Sequence, residues 1–359
     1  MLKRIIKIIL LIAMTSPYYY SQESGEEKDS TSTNQTSDFL NTAVENAKLS
    51  ATLHFRYLIN DPYTNQTENY FYFQRGYVTL ESKFSDKIFS RFTIDFDNEN
   101  RVALANLNGK TVNANDGTRV RIKYAYLEFI DFLGINDVDA LFGNFEQPGP
   151  QSYHNTIENS WLDRYYEYGF SSAVTGAMLK YNLPQQWGCV RAAVSNMNGY
   201  NTARDNNNAK NFISDIWLTP PGTGFTFFGW TMLDYYSAND NSTHNTVWGF
   251  GMEYATQKKL DLGIEVDFTH NTQTRVDGKS YMCYFNYSIN QELIFVGQAG
   301  IMDGKIKLKD DNITMILLGF NYRIINNTYF MINAINEKLT IAGEGKNNLR
   351  YNFQLLFGL

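Results

Sequence analysis

From Lys48 to the C-terminus the chain alternates apolar and polar residues with a period of two. Leu49, Ala51, Leu53, Phe55, Tyr57 and Ile59 are separated by Ser50, Thr52, His54 and Arg56. Leu260, Leu262, Ile264, Val266 and Phe268 alternate with Asp261, Gly263, Glu265 and Asp267, and Leu349, Tyr351, Phe353, Leu355 and Phe357 with Arg350, Asn352 and Gln354. Successive side chains of a strand point to opposite faces, so each segment has one apolar and one polar face. The segments run to about 11 to 14 residues, longer than an ordinary strand and near what a tilted strand needs to cross a bilayer. Roughly sixteen can be counted, an even number as closed single-chain bacterial barrels require.

The connections sort by length. Short turns fall at Ser85–Asp86, Asp131–Asp137, Pro184–Gln185, Pro220–Thr223, Lys258, Asn290 and Asn326–Asn327. Long polar loops fall between them, at Asn60–Asn69, Asp97–Gly117, Glu146–Tyr166, Asn196–Asn208, Tyr236–His244, His270–Gly278, Asp303–Asp311 and Thr340–Lys346. A soluble sandwich has no reason to segregate loops in this way, whereas an outer-membrane barrel has tight periplasmic turns and longer extracellular loops. The expected fold is therefore all-β, a transmembrane antiparallel barrel of about sixteen strands. Unpaired backbone groups are costly in hydrocarbon, so the last strand, ending at Leu359, must close on the first. One segment breaks the pattern: Arg119, Arg121 and Lys123 share parity with Ala125, Leu127 and Phe129. Either a bulge changes the face there or the strand's outer end lies beyond the apolar band.

Composition agrees. Aromatic residues make up 15% of the chain, Pro is scarce at 7, and the hydrophobic fraction is only 43%, as a barrel with one polar face requires. At the N-terminus Lys3, Arg4 and Lys7 precede and enter an apolar run ending near Met14, too short to span a bilayer as a helix. This predicts a signal peptide over residues 1–21, hence export. A polar lead-in with a short amphipathic helix (Phe39, Leu40, Ala43, Val44, Ala47) is expected over 22–47, and the barrel over 48–359. Without the three leader cations the chain keeps 28 basic and 37 acidic side chains, a balance near −9 that argues against nucleic-acid binding. Cys189 and Cys283 are too few for a disulfide framework, and the four histidines have no ligand-spaced partners, so neither a metal nor a cofactor is expected.

Sixteen strands enclose an aqueous channel where eight would be filled by side chains. The implied function is passive diffusion of small hydrophilic solutes or ions, with lipid around the barrel. Strand parity turns Arg56, Arg75, Lys83, Arg91 and Arg350 inward as basic liners, and Glu81, Asp95, Asp261, Glu265 and Asp267 as acidic ones. Opposed rows of these would set a transverse field; the plainer alternative is a solvated inner wall paired across strands. The third long loop differs in kind. It carries Tyr153, Trp161, Tyr165 and Tyr166, which suit packing better than solvent, and its charged residues are Glu146, Glu158, Asp163 and Arg164. The expectation is that it folds inward and narrows the pore; the alternative is an extracellular lid.

Two other classes fit less well. A barrel hydrolase needs a nucleophile facing a base near the rim, and no Gly-x-Ser-x-Gly pattern occurs, so no enzyme is expected. A surface adhesin would use Asn-rich loops such as Asn196–Asn208.

The stretch Gly143-Asn144-Phe145-Glu146-Gln147-Pro148, then Glu158-Asn159-Ser160 to Arg164, then Tyr168-Gly169-Phe170 follow one another in order. With Arg75-Gly76-Tyr77-Val78-Thr79-Leu80 and Phe92-Thr93-Ile94-Asp95-Phe96-Asp97 upstream, they resemble the phosphate-selective porin O and P family of Gram-negative outer membranes. The resemblance covers most of the mature chain. It implies a sixteen-stranded porin, often a homotrimer, with the third loop in the lumen and anions such as phosphate as solutes. The family commonly has Lys where this chain has Glu146, and its anion specificity rests on basic pore residues, whereas this chain is acidic.

Overall fold

The computed structural model describes residues 46–59, 69–97, 105–107, 110–112, 119–149, 172–196, 210–235, 244–256, 259–271, 276–305, 308–341 and 344–358. The signal segment and all but the last two residues of the lead-in lie outside the described residues. Eighteen strands are present among those described. They are β1 (Lys48–Ile59), β2 (Asn69–Ser85), β3 (Ile88–Asp97), β4 (Ala105–Leu107), β5 (Lys110–Val112), β6 (Arg119–Phe129), β7 (Val138–Glu146), β8 (Ala173–Leu183) and β9 (Gly188–Asn196). The second half holds β10 (Lys210–Leu218), β11 (Phe225–Tyr235), β12 (His244–Ala255), β13 (Leu260–Asn271), β14 (Val276–Ser288), β15 (Leu293–Lys305), β16 (Leu308–Ile325), β17 (Thr328–Ile341) and β18 (Glu344–Gly358).

Sixteen of these close into one antiparallel barrel in which each strand pairs with its neighbours in sequence, β6 following β3. The small β4–β5 hairpin stands apart, inside the second long connection, where only a polar loop was expected. Closure is by β1 on β18, with Thr52 opposite Gly358 and Ile59 opposite Tyr351. No edge is left to meet hydrocarbon, as the backbone's need for partners demands.

Outside, the expected alternation holds. Phe55, Phe250, Ile264, Ile316, Leu318 and Leu355 are exposed, each flanked by inward neighbours that are buried or half-buried. Aromatic pairs lie along this outer band, such as Trp248 stacked on Phe268 at 4.3 Å. The ambiguous sixth strand is settled by a bulge. The β3–β6 register shifts between Thr93 and Ile94, so that Thr93 faces Tyr124 and Ile94 faces Ile122, leaving Lys123 as the extra residue. Above the bulge Arg119 and Arg121 stand opposite Asp97 and Asp95, while Val120 and Ile122 take the exposed outer side. A second shift in the β1–β2 ladder, between His54 and Phe55, leaves Gln74 as the extra residue in the same way.

Six of the expected short turns fall among the described residues and join strands at one rim; the turn at Lys258 lies outside them. The β6–β7 turn is the most elaborate. Asp131, Leu133 and Asp137 adopt left-handed φ values of 50°, 57° and 64°. Asp131 stabilises it by accepting the Asp137 amide at 2.9 Å and an ion pair with Lys87. The Lys87 side chain, then the Asp137 amide, hold the Asp131 carboxyl below the usual carboxylate range. At the opposite rim two expectations change. Barrel strands run from 9 residues in β7 to 18 in β16, a wider range than the pattern suggested. The polar stretches 303–311 and 340–346 are largely strand, with Lys305 opposite Leu308 and Ile341 opposite Glu344. Hydrogen bonding between antiparallel neighbours continues past the apolar band, where side-chain polarity no longer marks the strand end.

Candidate functional site: the inner wall of the barrel

The inward faces of the sixteen strands form two unlike arcs. The first runs over β1, β2, β3 and β6 and is built from charged and hydroxyl side chains. Thr79 and Thr93 share a hydrogen bond at 3.0 Å. Above them Arg75 Nε lies 3.4 Å from Asp95 Oδ1 and its Nη2 3.8 Å from Asp97 Oδ2, while Arg121 makes a second ion pair with Asp97. Both carboxylates are fully buried, and guanidinium partners of this kind are what make burying them tolerable. Below them, Arg91 approaches Glu81 at 3.9 Å and covers the Tyr124 ring at 4.5 Å. Lys123, the bulge residue, lies over Tyr77 at 4.6 Å and reaches its hydroxyl at 3.3 Å.

Across the closure, Arg56 faces Gln354, whose amide oxygen, turned toward it, accepts from Nε at 2.6 Å. Arg350 pairs with Glu337 at 2.5 Å. Glu265 and Asp267 are buried on β13, which stands eight places from β3 in the ring of sixteen. The expected liners Arg56, Arg75, Arg91, Asp95, Glu265, Asp267 and Arg350 thus all occupy inward ladder positions, those of β13 across the ring from those of β3. Most of the cations have a carboxylate within ion-pair reach, so the wall carries mixed charge along its length.

The second arc was not foreseen. On β10 to β17 the inward positions hold Ile213, Phe228, Trp230, Met232, Val247, Met282, Val296, Met302, Met315, Leu317, Met331 and Ile335, one contiguous buried apolar cluster. Unbranched thioethers fill an irregular concave wall that rigid side chains would not. Glycine makes room for the aromatics: a Cβ at Gly251 would fall 2.2 Å from Phe228 Cζ, and one at Gly249 2.5 Å from Trp230 Nε1. The signal was present in the sequence. Strands such as Thr314 to Tyr322 and Phe225 to Leu233 are apolar on both faces, and strict alternation describes only the outer one.

Between the arcs lies the stem of the third long loop. Phe145 is fully buried at the end of β7, and Gln147, Pro148 and Gly149 after it are buried too. The chain does not continue along the wall. The Gly149 amide donates to Asp215 Oδ2 on β10 at 2.8 Å, and Gln147 Nε2 to Met232 Sδ on β11 at 3.9 Å. β10 and β11 stand three and four places from β7 in the ring, so the stem turns inward to reach them. Glu146 ends β7, half-buried; Glu158, Asp163 and Arg164 lie outside the described residues.

No family model and no curated sequence matches the chain. Solved structures do. The outer membrane channel DcaP of Acinetobacter baumannii aligns with a TM-score of 0.64 at 9% identity, over 87% of this chain and 97% of that one. OprB of Pseudomonas putida aligns at 0.62 and 10% identity, over 94% and 99%. An anion-selective porin from Comamonas acidovorans aligns at 0.61 and 10% identity, over 87% and 99%. At such identities the likeness is one of fold alone, a closed antiparallel barrel of the same kind.

Proposed function

We propose that this protein is an outer-membrane porin, a passive water-filled channel for small hydrophilic solutes or ions. The observation that carries this is the closed ring of sixteen strands with an apolar outer band and charged groups on the inner wall. A ring of that size leaves a lumen, and a lumen lined by fixed charges passes ions at a rate set by width and charge. The leader over 1–21 supplies export, and the outer membrane of a Gram-negative cell is the compartment that such a barrel fits. The resemblance to phosphate-selective porins, and the trimer form of OmpT, a Vibrio cholerae outer membrane protein of the same fold, support a homotrimer.

The inward course of Gln147 to Gly149 supports the reading in which Glu146, Glu158, Asp163 and Arg164 belong to a constriction. Phosphate specificity has weaker support, because Arg75, Arg91, Arg121 and Arg350 each have a carboxylate within ion-pair reach. Planar-bilayer recording tests the proposal. Purified folded barrel should give steady open-channel current, and deletion of 153–163 should raise it. A folded barrel that never conducts would sink the porin reading, and an unchanged current after deletion would place the loop outside the path. The reversal potential in a salt gradient then assigns the sign of ion preference.

A further inference from the structure

We propose that Asp215 is a positioning residue of the lumen, the carboxylate that fixes the stem of the third long loop, Gln147 to Gly149, against the inner wall. The inference rests on the reading of the barrel as a pore. Asp215 is buried on the inner wall, and donors converge on it from three directions. Arg191, its ladder partner on β9, reaches Oδ1 and Oδ2 through Nε at 2.9 and 3.1 Å and closes a further ion pair through Nη2. Trp217 Nε1 donates to Oδ2 at 3.0 Å, and the Gly149 amide to the same oxygen at 2.8 Å.

The arginine and the tryptophan belong to the wall. They neutralise the carboxylate and hold it in one orientation, which makes Oδ2 a prepared acceptor for the single donor that comes from elsewhere. Hydrogen bonds to a charged acceptor in a dry site are the strong ones. The stem is shaped to meet it. Gly149 has φ +122°, a conformation that side-chain-bearing residues rarely adopt, and its bare Cα faces the Trp230 ring, which a Cβ would meet at 3.8 Å. Gln147 sits on Met232 beside it. An ion pair serving only the wall would need no such partner from β7. The carboxylate therefore has a second role, which is to hold the loop stem on the apolar arc.

The test uses the full-length barrel with Cys189→Ser and Cys283→Ser, and Gln147→Cys as reporter. A membrane-impermeant maleimide reads how often the stem leaves the wall, and heat-modifiable gel migration confirms that the barrel is folded. With Asp215 present labelling should be slow. Asp215→Ala should speed it by about tenfold or more, as loss of a charge-assisted contact raises local opening, and Asp215→Asn by a smaller factor. Open-channel current should rise, or flicker, in the same order. Parent-like labelling in a folded Asp215→Ala barrel overturns the proposal; should that variant not assemble, parent-like labelling in Asp215→Asn does so. Faster labelling in barrels that never conduct would uphold the latch and refute the pore.

Discussion

Asp95 on β3 and Met315 on β16 are both withdrawn from solvent on the inner wall of one continuous sheet, and they are buried by opposite means. Asp95 belongs to a network in which arginines from β2 and β6 bracket the carboxylates of β3. Met315 belongs to a cluster held mainly by apolar packing. A charge in the first arc is tolerable because another stands beside it, and its outer members, Arg91 and Glu81, remain about one-third exposed at 31% and 33%. The second arc is mainly apolar, with Glu265, Asp267, Gln298, Asn321 and Asn333 set among its methionines. The interior is therefore not uniformly polar: one side is built mostly from ion pairs, the other from a contiguous apolar cluster that encloses a few carboxylates and amides, with the loop stem seated on the apolar side. On the porin reading, ions pass beside the charged arc.

Two adjacent residues of β13 test, with the largest effect, which face of the sheet meets lipid and which the lumen. Ile264 is 53% exposed on the outer band and Glu265 is 2% exposed on the inner wall. Arg at Ile264 places a charge against hydrocarbon and should cost on the order of 2 to 4 kcal/mol, seen as a fall in the yield of folded, heat-modifiable barrel. Arg at Glu265 meets Gly251 and Met282 across the ladder, not lipid, and should still assemble with altered ion preference. Equal tolerance at the two positions would refute this assignment of faces.

The difference between the arcs can be broken with one charge placed in each. Met315→Lys puts an ammonium into the apolar cluster, where Glu337 across the β16–β17 ladder is its one facing carboxylate, and should lower stability by about 1 to 3 kcal/mol, the usual penalty for an incompletely partnered buried polar group. Ser50→Lys, inward and half-buried on β1 next to the charged arc, should cost less than about 1 kcal/mol. Urea midpoints in lipid vesicles compare them. Matching midpoints would mean that water reaches Met315, and that the second arc is lining rather than core.

How much of this the chain discloses in advance follows from what alternation can encode. The outer band is legible because lipid demands an apolar residue at every outward position, so Leu349 to Phe357 or Leu260 to Phe268 announce themselves. The turns are legible because Asp131, Pro184 and Asn327 stand where the chain must reverse. The inner wall has no such uniform solvent. Charges at Arg75 or Asp267 mark inward positions, but Met232 and Met315 look like lipid-facing residues until the register assigns their neighbours to the outside. The bulge at Lys123 was visible only as a conflict of parity, since one extra residue carries no composition of its own. The latch at Asp215 was invisible: it joins residues 66 positions apart across the interior, and no local pattern encodes that contact.

The smallest effect is the most direct report on the charged arc. Arg91 is only part-buried, its pair with Glu81 spans 3.9 Å, and it is further held by the Tyr124 ring and by a long hydrogen bond from Nε to Thr93 Oγ1 at 3.4 Å. Replacing it with Gln should therefore change stability by less than about 1 kcal/mol, as is usual for partly exposed pairs. Its effect on conduction should be larger than its effect on folding. Removing the cation leaves Glu81 as a fixed negative charge beside the path, so the reversal potential in a salt gradient should move toward cation preference, and Glu81→Gln should move it the other way. Low salt should enlarge both shifts, because screening between exposed charges weakens as the Debye length grows. If neither substitution moves the potential while Glu265→Gln does, then ions run along the β13 side, and the apolar arc, not the charged one, borders the water.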